Sequence, residues 1–454
     1  MMFTVGHVLT ATGGRLLAGE PRGAVEGVST DSRTIRAGQL FVALRGPRFD
    51  GHDFIAQAMA PGKDAAGALV VPSRFHGSVP PGRIVIGVED TLLALQALAR
   101  AHRAGLPAVS LAAITGSNGK TTTKEMAAGI LARRFTVLKN EGNLNNTIGV
   151  PLTLLRMTPQ HQAAVVEMGI SEPGELRRLC EMAGPTMGLI TNIGRAHLET
   201  LGDIEGVARA KGELLEGLHG GLAILNADDP YSRRLAQRTT GPVMTFGMTH
   251  EADVRACDLR EGLEGSGTVF TLTARGRGET EVRLSVPGRH NVLNAAAAAA
   301  IAVAFQVDLM TVARGLESFS PVLLRTELIE WHGLRILNDA YNANPDSMQA
   351  ALLTLAGLRG SGHAVAVLGD MLELGTHAAQ AHREAGETAA RLGIEGLVLL
   401  GDCADLVADG ARLGGMPANR IRRCASHAEA ETADRKSTRL NSSHIQKSRM
   451  PSSA

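Results

Sequence analysis

The chain has 454 residues, 44% of them hydrophobic, which is enough for about three domains with sizeable cores and excludes a disordered or fibrous protein. Its 46 Lys and Arg nearly cancel 45 Asp and Glu, so no broad positive field draws it to nucleic acid or an acidic membrane surface. Aromatic residues are only 3%, too few for base-stacking platforms, while 53 glycines suit tight turns and loops that approach phosphates.

The first segment, 1–89, carries short apolar runs at Leu40–Leu44, Ala68–Val71 and Ile84–Ile86 between Gly and Pro, and reads as a small α/β domain. A helical pattern over Thr91–Arg103 opens a second segment, 90–320, in which Val109–Ile114, Ala163–Val166, Gly188–Thr191 and Leu222–Leu225 read as buried strands of a parallel sheet. The apolar run Val292–Phe305 is too short to span a bilayer and reads as a buried Ala-rich helix. A third segment, 321–434, repeats the strand and helix alternation at Leu334–Leu337, Ala364–Leu368, His377–Arg391 and Leu397–Leu400, and is expected to be a Rossmann-like βαβ array. The four cysteines are widely spaced with no C-x-x-C pair, and the N-terminus lacks a signal-peptide pattern, so a cytoplasmic protein without membrane insertion is expected.

In open parallel sheets ligands bind beyond the carboxyl ends of the strands. After Val109–Ile114 comes Thr115-Gly116-Ser117-Asn118-Gly119-Lys120-Thr121-Thr122 and then a helix pattern. Strand, glycine turn and helix start form a phosphate cradle, with Lys120 for the terminal phosphate and a Thr hydroxyl for magnesium. The first glycine sits at Gly116, whereas the strict phosphate-loop pattern requires it five residues before Gly119, at position 114, which is Ile114. Glu167 ends a strand, where its carboxylate suits a magnesium ion, and His197 follows the next strand. Either residue taken alone is more often structural. Lys211 lies on a helix-patterned stretch and, from composition, is an ordinary solvated cation. The loop containing Asn143, Asn145 and Asn146 offers amides to a polar substrate, or simply forms turns. Asn291 and Asn294 share one helix face, and the run Asn338-Asp339-Ala340-Tyr341-Asn342-Ala343-Asn344-Pro345 follows the first strand of the third segment.

Together these motifs resemble the Mur ligases, the ATP-dependent amide-forming enzymes of peptidoglycan precursor synthesis. The resemblance covers about residues 25–433, and Tyr341–Pro345 points to the branch that joins D-alanyl-D-alanine to UDP-N-acetylmuramoyl-tripeptide. It implies that Thr115–Thr122 hold the ATP phosphates, that Asn294, Arg325 and Asp339 hold adenine and ribose, and that Thr121, Glu167 and His197 serve magnesium. By the same resemblance Lys120, His197 and Lys211 are catalytic, Lys211 as a carbamate that becomes a further metal ligand. Ser32 and Arg33 match the uridine diphosphate site, and Asn143, Asn145, Asn146, Asn342 and Asn344 are the remaining substrate-binding candidates. Leu324 stands where the family commonly has glycine before the arginine. A monomer is expected, and closure of the third domain to complete the ATP site. Another Mur ligase adding the third residue, a folylpolyglutamate synthetase, or an inactive nucleotide-binding regulator are the alternatives.

Residues 435–454 hold five Lys or Arg, six Ser and no acid, and resemble translated adapter or vector sequence, with a natural basic disordered tail as the alternative reading. Without them 41 basic residues face 45 acidic ones, a net charge of −4.

Overall fold

The computed structural model describes residues 3–20, 22–261 and 267–430; the expected tail at 435–454, and 431–434 before it, lie outside the described residues. The chain forms two compact units, the first comprising 3–113, 135–170 and 174–186 and the second 114–134, 171–173 and 187–430. Both are α/β.

In the first unit the strands are β1 (Phe3–Thr4), β2 (Arg15–Ala18), β3 (Ala24–Val25), β4 (Val28–Ser29), β5 (Leu40–Val42), β6 (Gly67–Val70) and β7 (Ile84–Gly87). They include a five-stranded sheet in the order β2-β7-β6-β5-β4, parallel except for β2. Every residue of β5, β6 and β7 is buried, as expected for continuous apolar runs covered on both faces. The chain continues through the helix Thr91–Ala104, capped by the Asp90 carboxylate, into β8 (Ser110–Thr115), whose last two residues belong to the second unit. β9 (Val137–Lys139) and β10 (Ala163–Glu167) pair in parallel.

One buried cation ties this unit together. Near the end of helix Thr91–Ala104, the Arg103 guanidinium donates to the carbonyls of Ala183 (2.8 Å) and Val109 (3.0 Å) and also to Leu106. It thereby satisfies the last residue of helix Glu175–Ala183, whose terminal carbonyls have no partner within the helix.

The second unit contains β11 (Met187–Ile190), β12 (Leu222–Asn226), β13 (Val243–Gly247) and β14 (Val254–Glu261) in parallel, continued by antiparallel β15 (Thr268–Ala274) and β16 (Gly278–Leu284). The sequence reading contains no such antiparallel arm. Its strands alternate buried residues with half-buried ones in β15 and exposed ones in β16, so they lack the continuous apolar runs that mark the parallel strands. A second difference concerns Leu334–Leu337. That stretch is β18 (Leu334–Asn338), paired antiparallel with β17 (Glu327–Trp331) rather than laid into a βαβ array. The connecting residues His332 and Gly333 both have positive φ (48° and 78°), the geometry of a two-residue hairpin turn, without the Asn-Gly signature that would announce it. The parallel part of the third segment is β19 (Val365–Leu368), β20 (Gly396–Leu400) and β21 (Ile421–Cys424).

The helix Lys120–Leu131 packs against Arg289–Ala304 and Leu309–Glu317. Residues 294–303 of the Ala-rich helix are all buried, and its small side chains let neighbouring backbones approach closely. Among the described residues no helix is long and apolar enough to cross a membrane.

Arg103→Met removes the donors to the two buried carbonyls of Ala183 and Val109. It should lower the unfolding free energy by about 3 kcal/mol, read as a lower urea midpoint at unchanged slope.

Candidate active site

The site in the second unit is built on loops that follow strands. After β8, Gly116 takes φ 145° and Gly119 φ 80°. Neither position has room for a side chain: a Cβ on Gly116 would lie 1.8 Å from Thr191 Oγ1, and one on Gly119 would lie 2.1 Å from Asn294 Oδ1. The loop is therefore a cast of its surroundings. Ser117 N–H donates to the Asn192 carbonyl (3.0 Å), Asn118 N–H to Asn192 Oδ1 (3.0 Å), and Thr191 Oγ1 to the Asn118 carbonyl (2.6 Å). Ser117 Oγ accepts from Gly194 N–H (2.8 Å) and donates to its carbonyl (3.0 Å). Lys120 Nζ folds over the loop to the carbonyls of Gly116 (2.8 Å) and Ser117 (3.1 Å). Thr115, Thr121 and Thr122 are buried beside it.

The loop after β11, carrying Arg195 and His197, is braced from the loop after β12. Asn226 Nδ2 donates to the Thr191 carbonyl, and the Asp229 carboxylate accepts from Ile193 N–H (2.6 Å). Burial raises the pKa of Asp229, offset in part by those backbone hydrogen bonds. These two bracing residues are absent from the sequence reading, although a polar run Asn226-Ala227-Asp228-Asp229 directly after a strand was the available signal. His197 has φ 55°, and its Nδ1 lies 2.6 Å from Glu373 Oε2.

Lys211, expected as a solvated cation, is instead buried, with 1% of its surface exposed, on the helix Ile204–Glu216. Burial, reinforced by the nearby Lys120 charge, holds its pKa well below the usual lysine range and favours the neutral amine. Helical periodicity places Lys211 beside Val207, Ala208, Leu214 and Leu215, but cannot say how far inward this face turns.

The third segment meets the phosphate loop directly. Asn118 and Asn344 exchange two amide hydrogen bonds (3.2 and 2.8 Å), while Asn344 also caps the helix Pro345–Leu358 in a capping box. Arg195 bridges Asp346 (3.1 Å) and Glu384 (2.7 Å), and its backbone N–H donates to Asp346 Oδ2 (2.7 Å). Asn294 donates to Asn291 Oδ1 (3.3 Å), as their shared face predicts. Arg325 lies 3.9 Å over the Tyr341 ring, and Asp339 accepts from Thr326 N–H (2.9 Å), its pKa raised by burial. The flanking Leu324 and Thr326 both have positive φ (63° and 48°), a strained turn that aims Arg325 at Tyr341. Asn342 Oδ1 accepts from Ala343 N–H (2.9 Å).

The other candidates belong to the first unit. Glu167, at the end of β10, is buried and receives a hydrogen bond from Asn145 Nδ2 (2.8 Å), while Asn140 pairs with its backbone. Asn146 Oδ1 accepts from Ile148 and Gly149 N–H at the start of helix Gly149–Leu154, and the Asn143 carbonyl accepts from Asn145 N–H. Ser32 Oγ donates to Gln57 (3.0 Å), and Arg33 forms an exposed pair with Asp31.

A loop with two obligate glycines after β8, the Arg325 guanidinium over the Tyr341 ring, and a buried lysine are thus gathered in one unit of an α/β protein. Residues 114–302 match the Mur ligase middle domain, 324–439 the Mur ligase glutamate ligase domain, and 24–103 the Mur ligase catalytic domain. The chain belongs to the Mur ligase family. It is 40% identical over 389 residues to the UDP-N-acetylmuramoyl-tripeptide–D-alanyl-D-alanine ligase of Bacillus subtilis (strain 168), covering 85% of this chain and 82% of that one. Among solved structures, that of MurF from Acinetobacter baumannii is similar over 99% of this chain and 96% of that one, with a TM-score of 0.88 and 32% identity. MurF ligase from Thermotoga maritima in complex with ADP is similar over 93% of both chains, with a TM-score of 0.79 and 28% identity.

Two substitutions test this geometry. Leu324→Gly, which relieves the positive φ, should raise stability by up to about 1 kcal/mol, while β-branched Leu324→Val should lower it by about 1 kcal/mol, both read by thermal melting. For Lys211, the folded pKa lies below the unfolded one, so the unfolded chain binds more protons and this lysine makes stability rise with pH between the two values. Lys211→Met should therefore melt higher than the parent at neutral pH and lose part of that pH dependence.

Proposed function

We propose that this chain joins D-alanyl-D-alanine to the tripeptide carboxylate of UDP-N-acetylmuramoyl-tripeptide, using ATP and releasing ADP and phosphate. The observation that carries the reading is the seating of Asn344, in the Tyr341–Pro345 run, on Asn118 of the phosphate loop. A loop built for ATP is thereby tied to the segment that resembles this branch of the family, and the named relatives share the assignment.

In the reaction a tripeptide carboxylate oxygen attacks the γ-phosphorus, the bond to the β–γ bridging oxygen breaks, and ADP leaves with that electron pair. The dipeptide amine then attacks the acyl phosphate carbon; the tetrahedral adduct loses phosphate, and the nitrogen loses a proton to give the amide. Backbone N–H groups of the phosphate loop and the Lys120 ammonium stabilise charge that builds on the transferring oxygens. Asn294, Arg325 and Asp339 hold the nucleoside, with the Arg325 and Tyr341 planes offering a stacking surface. Ser32 and Arg33 are proposed to take the uridine diphosphate part, and Asn143, Asn145, Asn146 and Asn342 the polar substrate groups.

Of the residues proposed for magnesium, Thr121 in the second unit offers a hydroxyl at a helix start, and Glu167, within the first unit, is a buried carboxylate oriented by Asn145; each is a hard oxygen ligand of the kind the ion prefers. His197 is proposed to join this set directly or through water. When bound, the ion would supply positive charge to the phosphate oxygens. A neutral buried amine is the form of Lys211 that adds carbon dioxide, forming an N–C bond and releasing a proton, so carbamylation fits as well.

Phosphate release from ATP should require both UDP-N-acetylmuramoyl-tripeptide and D-alanyl-D-alanine, and Lys120→Ala should lower kcat by about 100-fold or more. Release that ignores the dipeptide would overturn the assignment.

A further inference from the structure

Glu373 lies 176 residues after His197, on the segment between β19 and the helix Ala378–Arg391, yet the two side chains meet at 2.6 Å. Both residues hold left-handed backbone conformations, with φ 55° for His197 and 59° for Glu373, although neither is glycine. Two such residues facing one another mark a place where the surroundings impose the geometry. The backbones are pinned together as well, with Glu199 N–H donating to the Glu373 carbonyl (3.1 Å). A Cβ on Gly375 would come within 3.3 Å of Glu199 Cα, so the segment lies close against the start of helix Leu198–Leu201.

The base of this segment is fixed independently. Asp370 accepts from the N–H groups of Asp402 (2.8 Å) and Cys403 (3.0 Å). His382 accepts from Met371 N–H (2.9 Å) through Nε2, while its Nδ1 lies 2.7 Å from the Ala378 carbonyl. Asp370, His382 and Cys403 are close enough to suggest a metal site, but both ring nitrogens of His382 are committed to the backbone. The cluster instead anchors residues 370 and 371, and so presents Glu373.

We infer that Glu373 is a positioning residue for the ligation: its carboxylate accepts the Nδ1 proton of His197, holds the ring in that tautomer, and leaves the Nε2 lone pair as the acceptor for the site. The physical reason is that neutral imidazole carries one proton on either nitrogen, and a carboxylate beside Nδ1 decides which. Because Glu373 comes from the segment after β19, His197 acquires its working tautomer only when that segment is seated. The inference rests on the reading that His197 acts in the site.

The test uses the full-length chain labelled with ¹⁵N-histidine, the His197 signals being assigned by their loss in His197→Asn. In the parent, His197 should show the Nδ1–H tautomer; in Glu373→Leu it should move towards Nε2–H, and kcat should fall by about 10- to 100-fold with KM for ATP nearly unchanged. Glu373→Gln, whose amide oxygen still accepts from Nδ1, should restore both the tautomer and most of kcat. Should the Leu variant fold poorly, Glu373→Asp, which keeps the charge but withdraws it by one methylene, is expected to show the same tautomer change and loss of kcat. An unchanged tautomer and kcat in the variants that fold, alongside an inactive His197→Asn, would overturn the inference alone. Parent-like activity in His197→Asn would overturn both the inference and the reading beneath it.

Discussion

Where Gly116 and Gly119 carry only hydrogen, a methyl group would collide with Thr191 and Asn294, and the rest of the site depends on that lack of space. The phosphate loop is shaped by two side chains outside it, one from the end of β11 and one from the Ala-rich helix. Asn294 reaches the loop because the buried alanines around it let that helix lie close to helix Lys120–Leu131. A change in the volume of the helix would be felt at the loop through contacts only a few ångströms long.

Polar groups in the site are held by other polar groups of the chain. In the second unit Asp229 and Asn226 brace the loop that carries His197, and Thr326 fixes Asp339. Buried donors and acceptors that are paired in this way cannot drift without leaving a partner unsatisfied, so the network is rigid as well as polar. Lys211 is the counterpart: a cation placed where charge is costly, which biases it towards the neutral and nucleophilic form. That bias is a chemical property conferred by position.

Three sets of contacts join the third segment to the loops after β8 and β11. They are the reciprocal amides of Asn118 and Asn344, the Arg195 bridge to Asp346 and Glu384, and the His197–Glu373 pair. Each reaches a different loop residue, and each is polar and partly exposed, the character of contacts that form and break during a catalytic cycle. These contacts within the second unit are a small number of directional hydrogen bonds and ion pairs.

The parallel strands, the phosphate loop, the Ala-rich helix and the family resemblance were legible along the chain, because each depends on residues close in sequence: continuous apolar runs, Gly-x-x-Gly-Lys after a strand, and an apolar stretch of helical length. The antiparallel arm and the His332–Gly333 hairpin were not, since alternating half-buried strands and an atypical turn leave weak local signals. Leu324 stood out as a residue in a glycine's place, but only its φ of 63° shows why glycine suits that position. Lys211, Asn226, Asp229 and Glu373 owe their roles to neighbours up to 176 residues away. Local sequence sets which chemistry a residue can perform. Burial and hydrogen-bond partners, which exist only once distant strands and loops meet, decide which residues are placed to perform it.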